Sequence, residues 1–187
     1  MSVLWRLERS LLPDNGKGTC LAGIGVALAD GHALVRQALC ALLRNRAGLY
    51  VVVEAGSVTE AMASASVAPV DLVVYDPCTV PDGGREAMGR ICRGAPALRL
   101  VVLTGDSRES SVRDALCAGA RAYALKSSGL DALLTALREA SAGRYWFDAA
   151  ITRRDPEAYA AELCSAHDDP CRRLTARERE VMRLVAA

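Results

Sequence analysis

No C-x-x-C pair occurs among the seven cysteines of this 187-residue chain, and seven is an odd count. Structural zinc sites and disulfide frameworks need paired spacing, so neither is expected. Several of the thiols fall among Ala and Leu in helical stretches, where a thiol acts as a small hydrophobe. The one metal-like cluster is Cys164, His167 and Cys171 with Asp168 and Asp169 between them, which supplies only three soft ligands and reads as linker. Long apolar runs are missing too, and nothing approaches the length of a membrane span. Trp5, Leu7, Leu11 and Leu12 lie near the N-terminus, but Pro13, Asp14 and Lys17 interrupt any signal-peptide core. The expectation is a short N-terminal extension over residues 1–22 on a protein of the reducing cytoplasm, with no membrane partner. Charge of one sign is also lacking: the net value of +1 gives no whole-chain electrostatic case for nucleic acid. Lysine is nearly absent, for among 23 basic residues only Lys17 and Lys126 are lysines.

What is present is an ordinary globular composition, 51% apolar and 24% charged, long enough for one well-buried domain and a small second unit. Four apolar runs end in polar residues: Ile24 to Ala29 before Asp30, Leu72 to Tyr75 before Asp76, Leu98 to Leu103 before Thr104, and Ala122 to Leu125 before Lys126. A fifth strand is expected over residues 50–54. Between the runs lie helical patterns near residues 32–46, 57–66, 86–93, 109–118 and 131–142. Ser57-x-x-Glu60 is a capping box, and Gly119 and Gly143 are helix stops. Five β/α repeats predict an α/β fold, a five-stranded doubly wound parallel sheet. Reactive groups of such sheets sit beyond the carboxyl ends of the strands, so Asp30, Asp76, Thr104 and Lys126 should crowd one edge. Two carboxylates, a hydroxyl and an ammonium can hold a divalent cation and a phosphoryl group. In a chain whose default cation is arginine, a compact ammonium here suits a point charge toward phosphate. An enzyme on the same sheet fits less well. An aspartate-nucleophile phosphatase wants a second acid where Cys78 stands, and a flavin site wants a Ser/Thr/Gly-rich loop where Asp30-Gly31-His32 stands.

Those residues carry a resemblance to bacterial response regulators of the NarL/LuxR type. It covers residues 24–150 and resumes at Leu174-Thr175-Ala176-Arg177-Glu178-Arg179-Glu180-Val181, which is similar to the Leu-Thr-x-Arg-Glu-x-Glu-Val opening of the family's output domain. The resemblance implies a receiver domain with flavodoxin-like strand order at residues 23–145. After it come an α-helical linker at 146–172 and, at 173–187, the first helix of a truncated helix-turn-helix unit. It implies a signalling protein rather than an enzyme, at most assisting its own phosphorylation and dephosphorylation. Asp76 matches the phospho-acceptor, Lys126 the phosphoryl-pairing lysine, Thr104 the switch hydroxyl and Tyr123 the switch aromatic. Magnesium would be held by Asp30, Asp76 and the backbone carbonyl of Cys78. The implied partners are a sensor histidine kinase, a second copy in a homodimer, and DNA through the complete output domain of a longer parent, not through this chain alone.

Two departures bear on that implication. Gly31 replaces the second acid of the metal pair, which implies weakened magnesium binding. Thr79-Val80-Pro81 replaces the family's Met-Pro-Gly, and Pro77 directly follows Asp76. The alternative is a pseudo-receiver that acts through protein contacts without phosphate. His32, beginning a helix, is assigned no catalytic role.

Overall fold

A computed structural model describes residues 23–165 apart from 45, 47, 66–69, 82 and 96. The N-terminal extension, His167, Cys171 and the Leu174 to Val181 motif lie outside the described residues. Six strands form one sheet: β1 (Ile24–Ala29), β2 (Leu49–Ala55), β3 (Leu72–Tyr75), β4 (Arg99–Thr104), β5 (Ala120–Leu125) and β6 (Trp146–Phe147). All pairings are parallel, in the order β2-β1-β3-β4-β5-β6. The helices are α1 (Ala33–Arg44), α2 (Val58–Ala65), α3 (Arg85–Gly94), α4 (Glu109–Ala118), α5 (Gly129–Ser141) and α6 (Pro156–Ser165).

Because the central strands are covered on both faces, β3 and β4 read as near-continuous apolar runs rather than alternating ones. Alternate residues still go to opposite sides. Val26, Leu28, Leu72 and Val74 pack with Leu43 of α1 and Leu133 and Leu137 of α5. Ala27, Ala29, Val73 and Tyr75 face Val58 of α2, Ile91 of α3 and Val112 and Leu116 of α4. The chain leaves β1 for β2 on one side and crosses to β3 on the other. The crevice this opens beyond the ends of β1 and β3 is where such sheets bind ligands.

Local signals hold at atomic detail. Ser57 Oγ accepts from the Glu60 N–H at 3.1 Å, while the Glu60 carboxylate accepts from the Gly56 N–H at 2.8 Å, one residue earlier than the ideal box. Gly119 ends α4 with φ of 111°, a conformation an L side chain rarely adopts.

The sheet has six strands rather than five. Two residues are too few to display a period of two, so β6 leaves no pattern in the sequence. The stretch expected as linker also packs on the domain. Phe147 meets Tyr159 of α6 edge to face, ring centroids 5.1 Å apart, and Tyr159, Ala160 and Leu163 join the core beside α4. Burying Tyr159 and Leu163 contributes on the order of 1.5–3 kcal/mol each. Asp148, itself buried, accepts from the backbone N–H groups of Leu125 and Ala150, and its own N–H donates to the Tyr123 carbonyl. Asp155 caps α6 by accepting from the Ala158 N–H at 2.9 Å. Among the described residues no helix is long and apolar enough to cross a membrane.

Candidate functional site

Asp30 and Asp76 follow β1 and β3, adjacent parallel strands, so both carboxylates enter the crevice side by side. They are 4% and 3% exposed. Two carboxylates this deep need a counter-charge, and Lys126, following β5, supplies it. Its Nζ lies 2.6 Å from Asp30 Oδ2 and 2.6 Å from Asp76 Oδ2. Burial pulls against ionisation of Asp30, but the bonds from Lys126, the His32 N–H and Thr79 outweigh it and leave the carboxyl below its ordinary range. Burial likewise lowers Lys126, and its two carboxylate partners reverse that into a net rise. The Lys126 ammonium is thus shared between the two aspartates.

The outer oxygens are occupied as well. Asp76 Oδ1 accepts from the Cys78 N–H at 2.9 Å. Asp30 Oδ1 accepts from the His32 N–H at 2.7 Å and from the Thr79 hydroxyl at 3.0 Å, and His32 Nδ1 lies 3.4 Å away. The Gly31 N–H in turn donates to Thr79 Oγ1 at 3.0 Å. Glycine at 31 is a steric requirement: a Cβ there would sit 1.9 Å from the Thr79 carbonyl oxygen. The loop after β3 thus occupies the space a second acid would need.

Thr104 lies at the same sheet edge but does not touch the carboxylates. Its hydroxyl accepts from the Asp106 N–H at 3.3 Å and approaches Cys78 Sγ at 3.5 Å. Tyr123 is buried, its ring inward and its hydroxyl donating to the Asp106 carbonyl at 2.7 Å. Burial and the neighbouring Asp106 push this phenol well above its usual range. Asp106 is itself held far below the usual carboxylate range by Arg108 and Ser111. The structure therefore joins Asp30, Asp76 and Lys126 directly and sets Thr104 and Tyr123 in an adjoining network. Sequence reasoning missed Thr79, Asp106 and Arg36, whose guanidinium donates to the Asp30 carbonyl at 2.6 Å. Arg36 falls one helical turn after His32, the only signal it offers.

Magnesium takes one or two carboxylates and keeps most of its waters, so Asp30 and Asp76 are the residues that would hold it here. Among the described residues no group of three or more His, Cys, Asp or Glu is placed to hold a metal ion.

A doubly wound sheet with paired aspartates and a lysine at the switch point defines the receiver class of signalling domain. Residues 26–138 match the response regulator receiver domain, and the chain belongs to that family. It is 36% identical over 166 residues to the DNA-binding transcriptional activator DevR/DosR of Mycobacterium tuberculosis, covering 87% of this chain and 74% of that protein. It is 29% identical over 163 residues to the nitrate/nitrite response regulator NarP of Escherichia coli, covering 86% and 74%. A LuxR-family response regulator from Aurantimonas sp. SI85-9A1 superposes with a TM-score of 0.63 at 28% identity, covering 78% of this chain and 97% of that one. RcsB of Salmonella typhimurium shares the fold, with a TM-score of 0.65 at 23% identity over 88% and 77%. The relatives are two-component response regulators of the NarL/LuxR type.

Proposed function

We propose that this chain accepts a phosphoryl group on Asp76 from the phosphohistidine of a sensor histidine kinase and passes that signal to a DNA-binding output. The observation that supports it is the Lys126 ammonium bridging Asp30 and Asp76 at 2.6 Å each. A carboxylate oxygen of Asp76 attacks phosphorus, the P–N bond breaks, and the departing imidazole takes a proton from solvent. Lys126, already at the carboxylate, follows the new phosphoryl oxygens as a point charge. Asp30, Asp76 and the Cys78 carbonyl would hold magnesium, more weakly for want of an acid at 31. When bound, the ion neutralises charge on the transferring group. Thr104 would turn from Asp106 and Cys78 toward the phosphoryl group, and Tyr123 would register that turn from its inward seat.

The output is transcriptional, through the complete helix-turn-helix domain of the parent and a homodimer, in the cytoplasm beside the kinase. The relatives' regulator names and the Leu174 to Val181 motif support that part.

A second reading is supported by Gly31 and Thr79. The carboxylates are already satisfied by protein groups, and a pseudo-receiver could work through protein contacts alone. Incubation with acetyl phosphate and magnesium, read by intact mass, separates the two. A stoichiometric phosphate adduct that Asp76→Asn abolishes supports phosphotransfer; the absence of any adduct supports the pseudo-receiver.

A further inference from the structure

Leu34 and Leu42 stand 78% and 44% exposed, the two large apolar side chains left open among the described residues. Both lie on α1, and both line one groove of about 380 Å³ between α1 and α5, with Leu130 and Leu133 on the α5 side. Scattered exposed leucines need no explanation, but two on one helix opening into one groove form a continuous patch. Among the described residues that line it, Lys126 alone carries a polar side chain, and its ammonium is committed to Asp30 and Asp76. The groove therefore has nothing with which to orient a polar small ligand, and its shape suits the apolar stripe of another helix.

The path of the chain brings a candidate to the foot of this groove. Ile24, where β1 begins, packs on the α1–α5 side of the sheet. Its N–H donates to the Gly48 carbonyl at 2.8 Å, in the turn that follows α1. Residues 1–22 lead into that point. Within them Val3, Leu4, Leu7 and Leu11 recur at helical spacing, with Trp5, Arg6 and Arg9 on the other side, and Pro13 closes the pattern. Val3 to Leu11 spans as many residues as Leu34 to Leu42, about 12 Å along a helix. Residues 13–22 reach at most about 33–36 Å when extended, against the roughly 18 Å length of α1.

We propose that the N-terminal segment, residues 3–12, docks in the α1–α5 groove of its own chain, laying Val3, Leu4, Leu7 and Leu11 against Leu34, Leu42, Leu130 and Leu133. A short tether gives an effective concentration on the order of millimolar, so even a weak contact closes within one chain before a second copy competes. The upper end of the groove is walled by Lys126 and Gly129, beside the carboxylate crevice. The docked segment is therefore a cover that any partner approaching over α1 must displace. This inference stands on the groove and the N-terminal pattern, and it does not depend on the phosphotransfer reading.

The test uses the full chain with the photoprobe p-benzoylphenylalanine in place of Leu34, a position open enough to accept it without disturbing the fold. Irradiated protein is sized and then mapped by peptide mass spectrometry. The expected product has the mass of one chain and joins position 34 to a peptide within residues 1–12. Its yield should hold over a roughly tenfold dilution, as a contact within one chain requires. Leu7→Asp combined with Leu11→Asp should abolish the link, and neither residue belongs to the folded sheet or its helices. The same probe at Glu86, exposed on α3 across the sheet, should give no link to residues 1–12. The proposal is overturned if position 34 never links to residues 1–12, or if the link survives the paired aspartates. Equal links from positions 34 and 86 would overturn it as non-specific collapse, and a product of two-chain mass would give the groove to a second copy instead.

Discussion

Replacing Gly31 by alanine adds one methyl group at a point where the structure leaves no room for it. The new Cβ would lie 1.9 Å from the Thr79 carbonyl oxygen and 2.6 Å from its carbon. Contacts under 3.0 Å are essentially never adopted, so the loop must retreat by at least the difference between 1.9 and 3.0 Å. That movement stretches the 3.0 Å bonds from Gly31 to Thr79 and from Thr79 to Asp30 beyond useful length. Overpacking of this kind costs about 1–3 kcal/mol, and two lost hydrogen bonds add about 1–2 kcal/mol. The expected loss is about 3 kcal/mol, read by urea unfolding as a lower midpoint at unchanged m-value. In a thermal melt the same loss lowers the midpoint by about 6–12 °C for a chain of this size. Gly105→Ala is the control, since nothing lies within 4 Å of the Cβ it would add. If Gly31→Ala costs no more than Gly105→Ala, the Thr79 loop does not sit over position 31 and the argument fails. Because the obstacle is backbone, trimming Thr79 to glycine should not rescue the variant. By the same reasoning Gly31→Asp should destabilise rather than rebuild a full acidic pair, with no tenfold gain in magnesium affinity by calorimetry.

The carboxylate bridge gives stability two pH limits. Asp30, depressed when folded, contributes above its ordinary value of 3.8 and loses that contribution as pH falls further through its folded value. Lys126, raised when folded, contributes fully below 10.5 and loses it as pH climbs through its folded value. Lys126→Met should cost about 3–5 kcal/mol at neutral pH by stranding two buried carboxylates, and acid should restore part of the loss. Urea midpoints measured against pH check this, and a variant profile parallel to the original would refute it. Asp148→Ala should cost about 1–3 kcal/mol and speed hydrogen exchange at β6 and α6 more than at β1 and β3, since it frees the Leu125 and Ala150 N–H groups. Uniform acceleration across the sheet would contradict a local tie.

The sheet was legible because parallel strands are short apolar runs and four of them end in a polar residue. Asp30, Asp76 and Lys126 could be grouped from topology alone, since one rule places all strand ends on one edge. Thr104 obeyed that rule, yet its hydroxyl turned to Asp106 and Cys78, because rotamer and local partners decide the last few ångströms. Thr79 was illegible for another reason. Its role depends on the absence of a side chain at Gly31, forty-eight positions away, and a loop's path is set by what it can fill. β6 and α6 read as linker because their attachment rests on single residues, Phe147, Asp148 and Tyr159, rather than on a repeating pattern.

Lys126 is one of only two lysines in the sequence, the other being Lys17. An endoproteinase that cuts solely after lysine therefore has one recognition point among the described residues, at the end of β5 with its ammonium clasped from both sides. Scission there requires that clasp to let go, so digestion speed under native conditions becomes a clock for how often the pocket opens.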